Sequence, residues 1–490
     1  MTNTLICLLP PLNSSQPPLS GAILAEICSS QGHEVILKDI NIELRNYLRF
    51  SNIPDNLFDD VFYEMTSNYS DAQLKVINSF LDHFFQHINV DKFDYVVVSL
   101  FSYLAQSFGD LFFPVLRTLT NAKIVVGGPG VQGYGHTLKD KKFINEYIVG
   151  EAENALKQYF LVGNGPGIGN KDFIQLDNLD QYPFPNYQFY NVDDYKNSNN
   201  ELVFSIIGSR GCVRSCNFCN VAVTSPKYRF RSGKNIANEI IQHYETYGVR
   251  NFYFTDSLVN GSYKAFDDMC DALSSYNFDE PISWSGQYII RSISSTPKDH
   301  FKKLKAAGCK ELFVGIETGC DRIRFEMGKK FTNDDIEFYL ENFAEIDVKI
   351  LFLFFTGYIN ETIEDYNETL SMFARWQKYV ATGTITGVET FNILGILPGT
   401  KLEKLAMEQH FLFQENQKSQ YLNTKFWLDS NNPTYDYKER VRRHLGIIKE
   451  AIKYKWPVWN ASITLELLEK SIIEFNNPKN RYIPINRLGS

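Results

Sequence analysis

From Glu201 onward the chain repeats one unit, an apolar strand followed by a helix, about six times, and no other feature limits the fold as much. The strands read as Leu202 to Ile207, Asn251 to Thr255, Ile282 to Gly286, Glu311 to Ile316, Val348 to Phe355 and Ile385 to Ile393. Helical spacing fills the gaps near Ile236 to Tyr247, Lys264 to Ser274, Lys298 to Ala307, Asn333 to Phe343 and Ile363 to Tyr379. Such a run predicts a partial (β/α)6 barrel. Barrels of this kind carry their chemistry at the carboxyl ends of the strands.

Directly after the first of these strands comes Ser209-Arg-Gly-Cys-Val-Arg-Ser-Cys-Asn-Phe-Cys-Asn, which sets Cys212, Cys216 and Cys219 at spacings of four and three. A [4Fe–4S] cluster takes four cysteines as a rule. A loop that supplies three leaves one iron open to a ligand from outside the protein. The alternatives are a zinc loop, which would want a fourth Cys or His nearby, and a buried thiol cluster. No His lies between Asn200 and Ile240. The place of the loop, at the end of a strand, agrees with the barrel reading, and agreement between levels is itself evidence.

The bulk numbers narrow the class. With 490 residues, 44% hydrophobic and 22% charged, the chain is ordinary globular material long enough for two to four domains. Its net charge of −8 is spread along the sequence. That argues against a nucleic-acid footprint. The start, Met1 to Leu12, has no positive region and is broken by Pro10 and Pro11, so it predicts neither a signal peptide nor a membrane span. Of eight cysteines, three share one loop and the rest are scattered, which fits a reducing, cytoplasmic setting.

The first 180 residues alternate strands and helices. Strands are expected at Leu5 to Leu9, Val35 to Asp39, Asp94 to Ser99, Ala122 to Val126 and Glu146 to Val149. Apolar strands between helices indicate a parallel sheet covered on both faces, hence a doubly wound α/β domain over 1–180. Gly127, Gly128 and Gly130, after a strand, suit either close approach to a ligand or a tight turn. Residues 181–200 read as a linker, 201–401 as the barrel and 402–490 as a charged C-terminal helical cap, with Lys438 to Tyr454 amphipathic. The cap packs its apolar face on the barrel or closes a substrate channel.

The cysteine spacing resembles the signature of the radical SAM superfamily. There the open iron chelates the amino and carboxylate groups of S-adenosylmethionine, and reduction releases a 5′-deoxyadenosyl radical. The first domain, with Pro10-Pro11, Gly32-His33 and Gly127-Gly-Pro, is similar to the Rossmann-like cobalamin-binding domain of one large class in that superfamily. No Asp stands two residues before a His, so the Asp-x-His-x-x-Gly source of an axial ligand is missing. Members without it include ones that bind cobalamin and ones that do not. Thr255-Asp-Ser-Leu-Val-Asn-Gly, Pro226-Lys-Tyr-Arg-Phe-Arg-Ser-Gly, Arg322-Ile-Arg-Phe-Glu-Met-Gly-Lys-Lys and Lys453-Tyr-Lys-Trp-Pro-Val-Trp look like the members that modify ribosomally made peptides, proteusin-type epimerases among them.

That resemblance implies a [4Fe–4S] cluster on Cys212, Cys216 and Cys219, with S-adenosylmethionine touched by Phe218, Asp256, Ser257 and Glu317. Glu317 resembles a Gly-Ile-Glu element, and Arg291 or Arg324 would pair the carboxylate in the bidentate manner of arginine. As an epimerase, the enzyme would take a Cα hydrogen from an L-residue and return one from a thiol on the opposite face. Cys320 is the candidate donor, because it alone of the other five cysteines follows the carboxyl end of a strand; Tyr288 is the reserve. The implied partners are a precursor peptide with a leader sequence and a reductase, flavodoxin or ferredoxin. A cobalamin-dependent C-methyltransferase of a peptide or small natural product is the alternative. An electron-transfer iron–sulfur protein is the third.

Overall fold

The computed structural model describes residues 2–12, 15–58, 69–102, 104–131, 142–165, 167–169, 174–197, 199–415, 425–459, 461–476 and 481–484. It divides into two compact units, residues 1–205 with 243–251, and 206–242 with 252–490.

The first unit is built on β1 (Thr2–Leu8), β2 (His33–Asp39), β3 (Tyr95–Ser99), β4 (Lys123–Gly127) and β5 (Glu146–Tyr147), in the order β2-β1-β3-β4-β5, all parallel. That order is a doubly wound sheet whose direction of growth reverses between β1 and β3. Val96, Val97 and Val98 of β3, and Ile124, Val125 and Val126 of β4, are buried on both faces of the sheet. Gly128, with φ +103, and Gly130 resolve the two readings left open. A Cβ on Gly128 would stand 2.5 Å from the Leu100 carbonyl oxygen. Backbone fills their side-chain space, so both serve the turn.

The stretch expected to be a linker is instead part of this unit. Among three short 3-10 turns, Leu179–Gln181, Tyr187–Phe189 and Val192–Tyr195, the last two carry aromatic anchors. Tyr195 donates its hydroxyl to Asp39 Oδ2 at 2.8 Å, and Tyr187 stacks on Phe204 with centroids 3.8 Å apart. Burying such rings gives a loop the free energy to hold one conformation.

The barrel sheet uses β6 (Val203–Ile206), β9 (Asn251–Phe254), β10 (Ser283–Gln287), β11 (Cys309–Glu317), β12 (Lys349–Thr356), β13 (Ile385–Ile393) and a seventh strand, β16 (Val458–Trp459), in the order β16-β13-β12-β11-β10-β9-β6. A two-stranded ribbon, β7 (Ser209–Arg210) with β8 (Arg229–Phe230), brackets the cysteine loop. Side chains of one sheet face meet helices: Trp284 meets Phe266, Phe352 meets Trp376, and Phe354 meets Phe373. The opposite face, with Tyr253, Ser285, Glu311, Phe313 and Thr386, is only half-buried.

The expected C-terminal helical cap is only partly helical. It contains β14 (Leu412–Glu415), β15 (Trp427–Leu428) and β17 (Arg481–Pro484), which form an antiparallel sheet in the order β15-β14-β17, and it supplies β16. Strands of two to four residues carry too little periodicity to be read from sequence. The helix Tyr437–Lys453 does pack on the barrel, where Thr356 Oγ1 and His444 Nδ1 lie 2.8 Å apart. Among the described residues no helix is long and apolar enough to cross a membrane.

Candidate active site

The cysteine loop is fixed at its base and at its tip. At the base, Asp256, just past β9, accepts from the Gly208 backbone N–H at 2.8 Å and from Ser209 Oγ at 2.5 Å. Burial pushes the Asp256 carboxyl up to about 7, against the pull of those hydrogen bonds and of Arg231. Arg231 is buried; it donates to the Ile207 carbonyl at 2.8 Å and pairs with Glu239. At the tip, Asn217 donates its backbone N–H to the Met327 carbonyl (3.0 Å), and Nδ2 to the Glu326 carbonyl (3.0 Å) and to the Tyr358 hydroxyl (2.5 Å). Its own carbonyl accepts from the Leu402 backbone N–H at 2.8 Å. A loop held by main-chain groups at both ends cannot collapse onto itself. Cys212, Cys216 and Cys219 stay half-buried and unpaired.

These residues fit a four-iron cluster. The Arg214 backbone N–H donates to Cys212 Sγ at 3.3 Å. Among the described residues no three His, Cys, Asp or Glu side chains converge on a single ion. Thiolates that each hold a different iron need not converge, whereas a zinc loop must. Burial raises the Cys216 thiol and Lys329 opposes that rise.

The residues assigned around this loop separate into two groups. Phe218 stays at the site, edge-on to Phe355 with centroids 4.9 Å apart, and Ser257 is half-buried beside Asp256. Arg291 holds the carbonyls of Asn260 (3.0 Å) and Gly261 (2.8 Å) with Nη2 and lies over the Tyr263 ring at 4.8 Å. It neighbours Arg214, whose guanidinium is held below its usual value by burial and then by Arg291. Glu317 is at the site too, but Lys329 Nζ already sits 2.8 Å from its Oε1.

Four of the assigned residues have their side chains engaged within the protein. Both carboxylate oxygens of Asp256 accept from the base of the loop. Arg324 is fully buried, tied to Asp321, to the carbonyls of Phe331 and Thr318 and to Asn333 Oδ1; it locks a helix start. Cys320 is fully buried, and its thiol donates to Asp365 Oδ1 at 3.2 Å; burial pushes its pKa up to about 12. Tyr288 is 2% exposed, with its hydroxyl 2.6 Å from His300 Nε2 in the layer between sheet and helices. Neither Cys320 nor Tyr288 can meet a substrate in that state. Sequence reasoning also missed Asn217, Arg231 and Lys329, since nothing local marks a residue whose partner is distant in the chain.

Residues 206–373 match the Radical SAM superfamily. An uncharacterized methyltransferase of Pyrococcus horikoshii is 25% identical over 316 residues, which cover 60% of this chain and 65% of that protein. The radical S-adenosylmethionine methyltransferase TsrM from Kitasatospora setae, solved with cobalamin and a [4Fe-4S] cluster bound, matches with a TM-score of 0.65 at 16% identity, over 93% of this chain and 90% of that one. The cobalamin-dependent S-adenosylmethionine radical enzyme OxsB matches with a TM-score of 0.58 at 15% identity, over 83% of this chain and 60% of that one. At such identities the two structures establish likeness of fold.

Residues 206–373 thus carry a radical SAM domain. That domain implies a [4Fe–4S] cluster on Cys212, Cys216 and Cys219, and S-adenosylmethionine as its ligand.

Proposed function

We propose that the protein is a cobalamin-dependent radical SAM C-methyltransferase of a peptide or small natural product. The observation that carries this reading is that the likeness to TsrM spans both units at once, 93% of the chain. The first unit suits a corrin as its sheet order suggests, because a doubly wound sheet binds ligands in the crevice where its order reverses. At that crevice β1 is followed by Leu9 and the cis-bonded Pro10-Pro11, and β3 by Leu100 and by Phe101, an aromatic 51% exposed. The described histidines of the strands and helices here stand elsewhere. His33 begins β2, and His83 and His87 close the helix that leads to the amino end of β3. Of the residues that follow β1 and β3 at the crevice, Phe101 is the exposed one, an aromatic surface that a corrin could lie against.

When bound, the cluster and S-adenosylmethionine supply one-electron chemistry and cobalamin supplies a methyl carrier. The chain's own residues hold and orient. Asp256 and Asn217 fix the cysteine loop, Arg291 is placed to receive a carboxylate, and Phe218 with Phe355 walls the site against water. The epimerase reading, preferred from sequence, gives way here because it needs a free thiol. Cys7, Cys28, Cys270, Cys309 and Cys320 are all buried.

The test uses the full chain, reconstituted anaerobically with iron and sulfide, mixed with hydroxocobalamin and desalted. Retention of about one corrin per chain is expected, followed by transfer of a labelled methyl group from S-adenosylmethionine to a co-expressed peptide. A chain that keeps no corrin, yet introduces one deuterium per modified residue in deuterated water, is an epimerase.

A further inference from the structure

The carboxyl end of β11 holds a charge pair that the strand does not need in order to fold. Glu317 has φ +63, a left-handed conformation rare for a non-glycine residue. The register between β11 and β12 shifts between Gly315 and Glu317. This bulge re-aims the side chain, as bulges near active sites do. The Glu317 carboxylate folds back over Gly315. A Cβ on Gly315 would collide with Glu317 Oε1 and stand 3.2 Å from Lys329 Nζ. In that space Lys329 Nζ donates to the Gly315 carbonyl at 2.6 Å and pairs with Glu317 Oε1 at 2.8 Å. The two side chains are only 12% and 13% exposed.

The segment that carries Lys329 is fastened to the cysteine loop. Glu326 and Met327 accept the two Asn217 bonds described above, and the Cβ position of Gly328 is 3.7 Å from the Cys216 Cα. Lys329 Nζ is 5.9 Å from the ring centroid of Phe218, which lies between Cys216 and Cys219. An ammonium withdrawn from water loses hydration, and an apolar side chain would fill such a place at no such cost. The fastening brings it to the one part of this unit where thiolates collect.

Resting on the radical SAM reading, we propose that Lys329 is a positioning residue for electron transfer, a fixed positive charge that raises the reduction potential of the cluster held by Cys212, Cys216 and Cys219. Reduction adds one negative charge to a cluster already carrying three thiolates. A cation fixed beside it, in a site of low dielectric, stabilises the reduced state more than the oxidised one. Glu317 works in the opposite sense, so removing either member of the pair should move the potential, each in its own direction.

The experiment is a redox titration of the reconstituted full chain without S-adenosylmethionine, followed by electron paramagnetic resonance of the reduced cluster. It compares the wild type, Lys329→Met, Lys329→Arg and Glu317→Gln, each assayed for iron. Lys329→Met with full iron should show a reduced-to-oxidised ratio roughly tenfold lower at fixed poise, equivalent to about 59 mV for one electron. Lys329→Arg should return toward the wild type, and Glu317→Gln should shift the potential upward. Wild-type potentials in an iron-loaded Lys329→Met overturn the proposal. Should that variant lose its iron, an unmoved Glu317→Gln overturns it instead. A wild type that holds no iron refutes the radical SAM reading itself, a different outcome.

Discussion

The two units are written in the same alternation of strand and helix, yet their sheets meet their surroundings differently. In the first unit β3 reads Tyr-Val-Val-Val-Ser and β4 Lys-Ile-Val-Val-Gly, with both faces of the sheet buried. In the second, β10 reads Ser-Trp-Ser-Gly-Gln and β11 Cys-Lys-Glu-Leu-Phe-Val-Gly-Ile-Glu, with buried and half-buried residues alternating. A flat sheet is covered by helices on each side, whereas a curved one turns a face inward where no helix can lie. Parallel strands therefore do not imply two dry faces. The polar residues of the barrel strands, Ser285, Gln287, Glu311 and Thr386, mark the inward side.

Four measurements would break or sharpen that contrast. The largest effect is expected from Cys216→Ala, which leaves two thiolates on the loop. Iron should fall from about four per chain to near none, while corrin retention by the first unit is unchanged; joint loss would mean that the units do not act separately.

The next comes from pH, since each unit buries a carboxylate that is held above its usual range. Burial pushes Asp256 up to about 7 and Asp39 up to about 6. Between the unfolded value near 4 and those values, the folded chain keeps protons that the unfolded chain releases. Stability therefore falls as pH rises through this window and levels off above it. Urea unfolding should show Asp256→Asn flattening the decline up to about pH 7, by as much as ~4 kcal/mol, and Asp39→Asn flattening the part below about pH 6.

Substitution on the two faces of single strands reads the contrast directly. Val97→Asn and Val98→Asn should each cost ~3 kcal/mol in denaturant unfolding, because both faces of β3 are buried. On β11, Val314→Asn should cost as much and its neighbour Phe313→Asn less than half; equal costs would mean that the inward face is dry. The smallest effect belongs to Cys320→Ala, ~1 kcal/mol of stability with cleavage of S-adenosylmethionine unchanged. Loss of product with that cleavage intact would restore Cys320 as a hydrogen donor.

Much of the architecture was legible before the structure. The six barrel strands fall within about two residues of their expected limits at either end, because apolar runs between amphipathic helices are a local signal. The cysteine loop was equally legible, since three thiols within eight residues can meet whatever the fold. Strands such as β16 were not, being short segments that exist only because β13 offers an edge. The short strands β14, β15 and β17 within the helical cap were missed for the same reason.

By itself the sequence determined the order of elements, the doubly wound and barrel classes and the three-cysteine loop. All of these follow from spacing along a few turns of chain. Tertiary structure decided which partners each polar side chain meets: that Asp256 holds Gly208 and Ser209, some 48 residues away, that Arg324 meets Asp321 and Cys320 meets Asp365, and that Glu317 faces Lys329. Such partnerships depend on which side chains meet after the backbone has closed, and a carboxylate reads the same in sequence whether it meets a cofactor, a loop or a lysine.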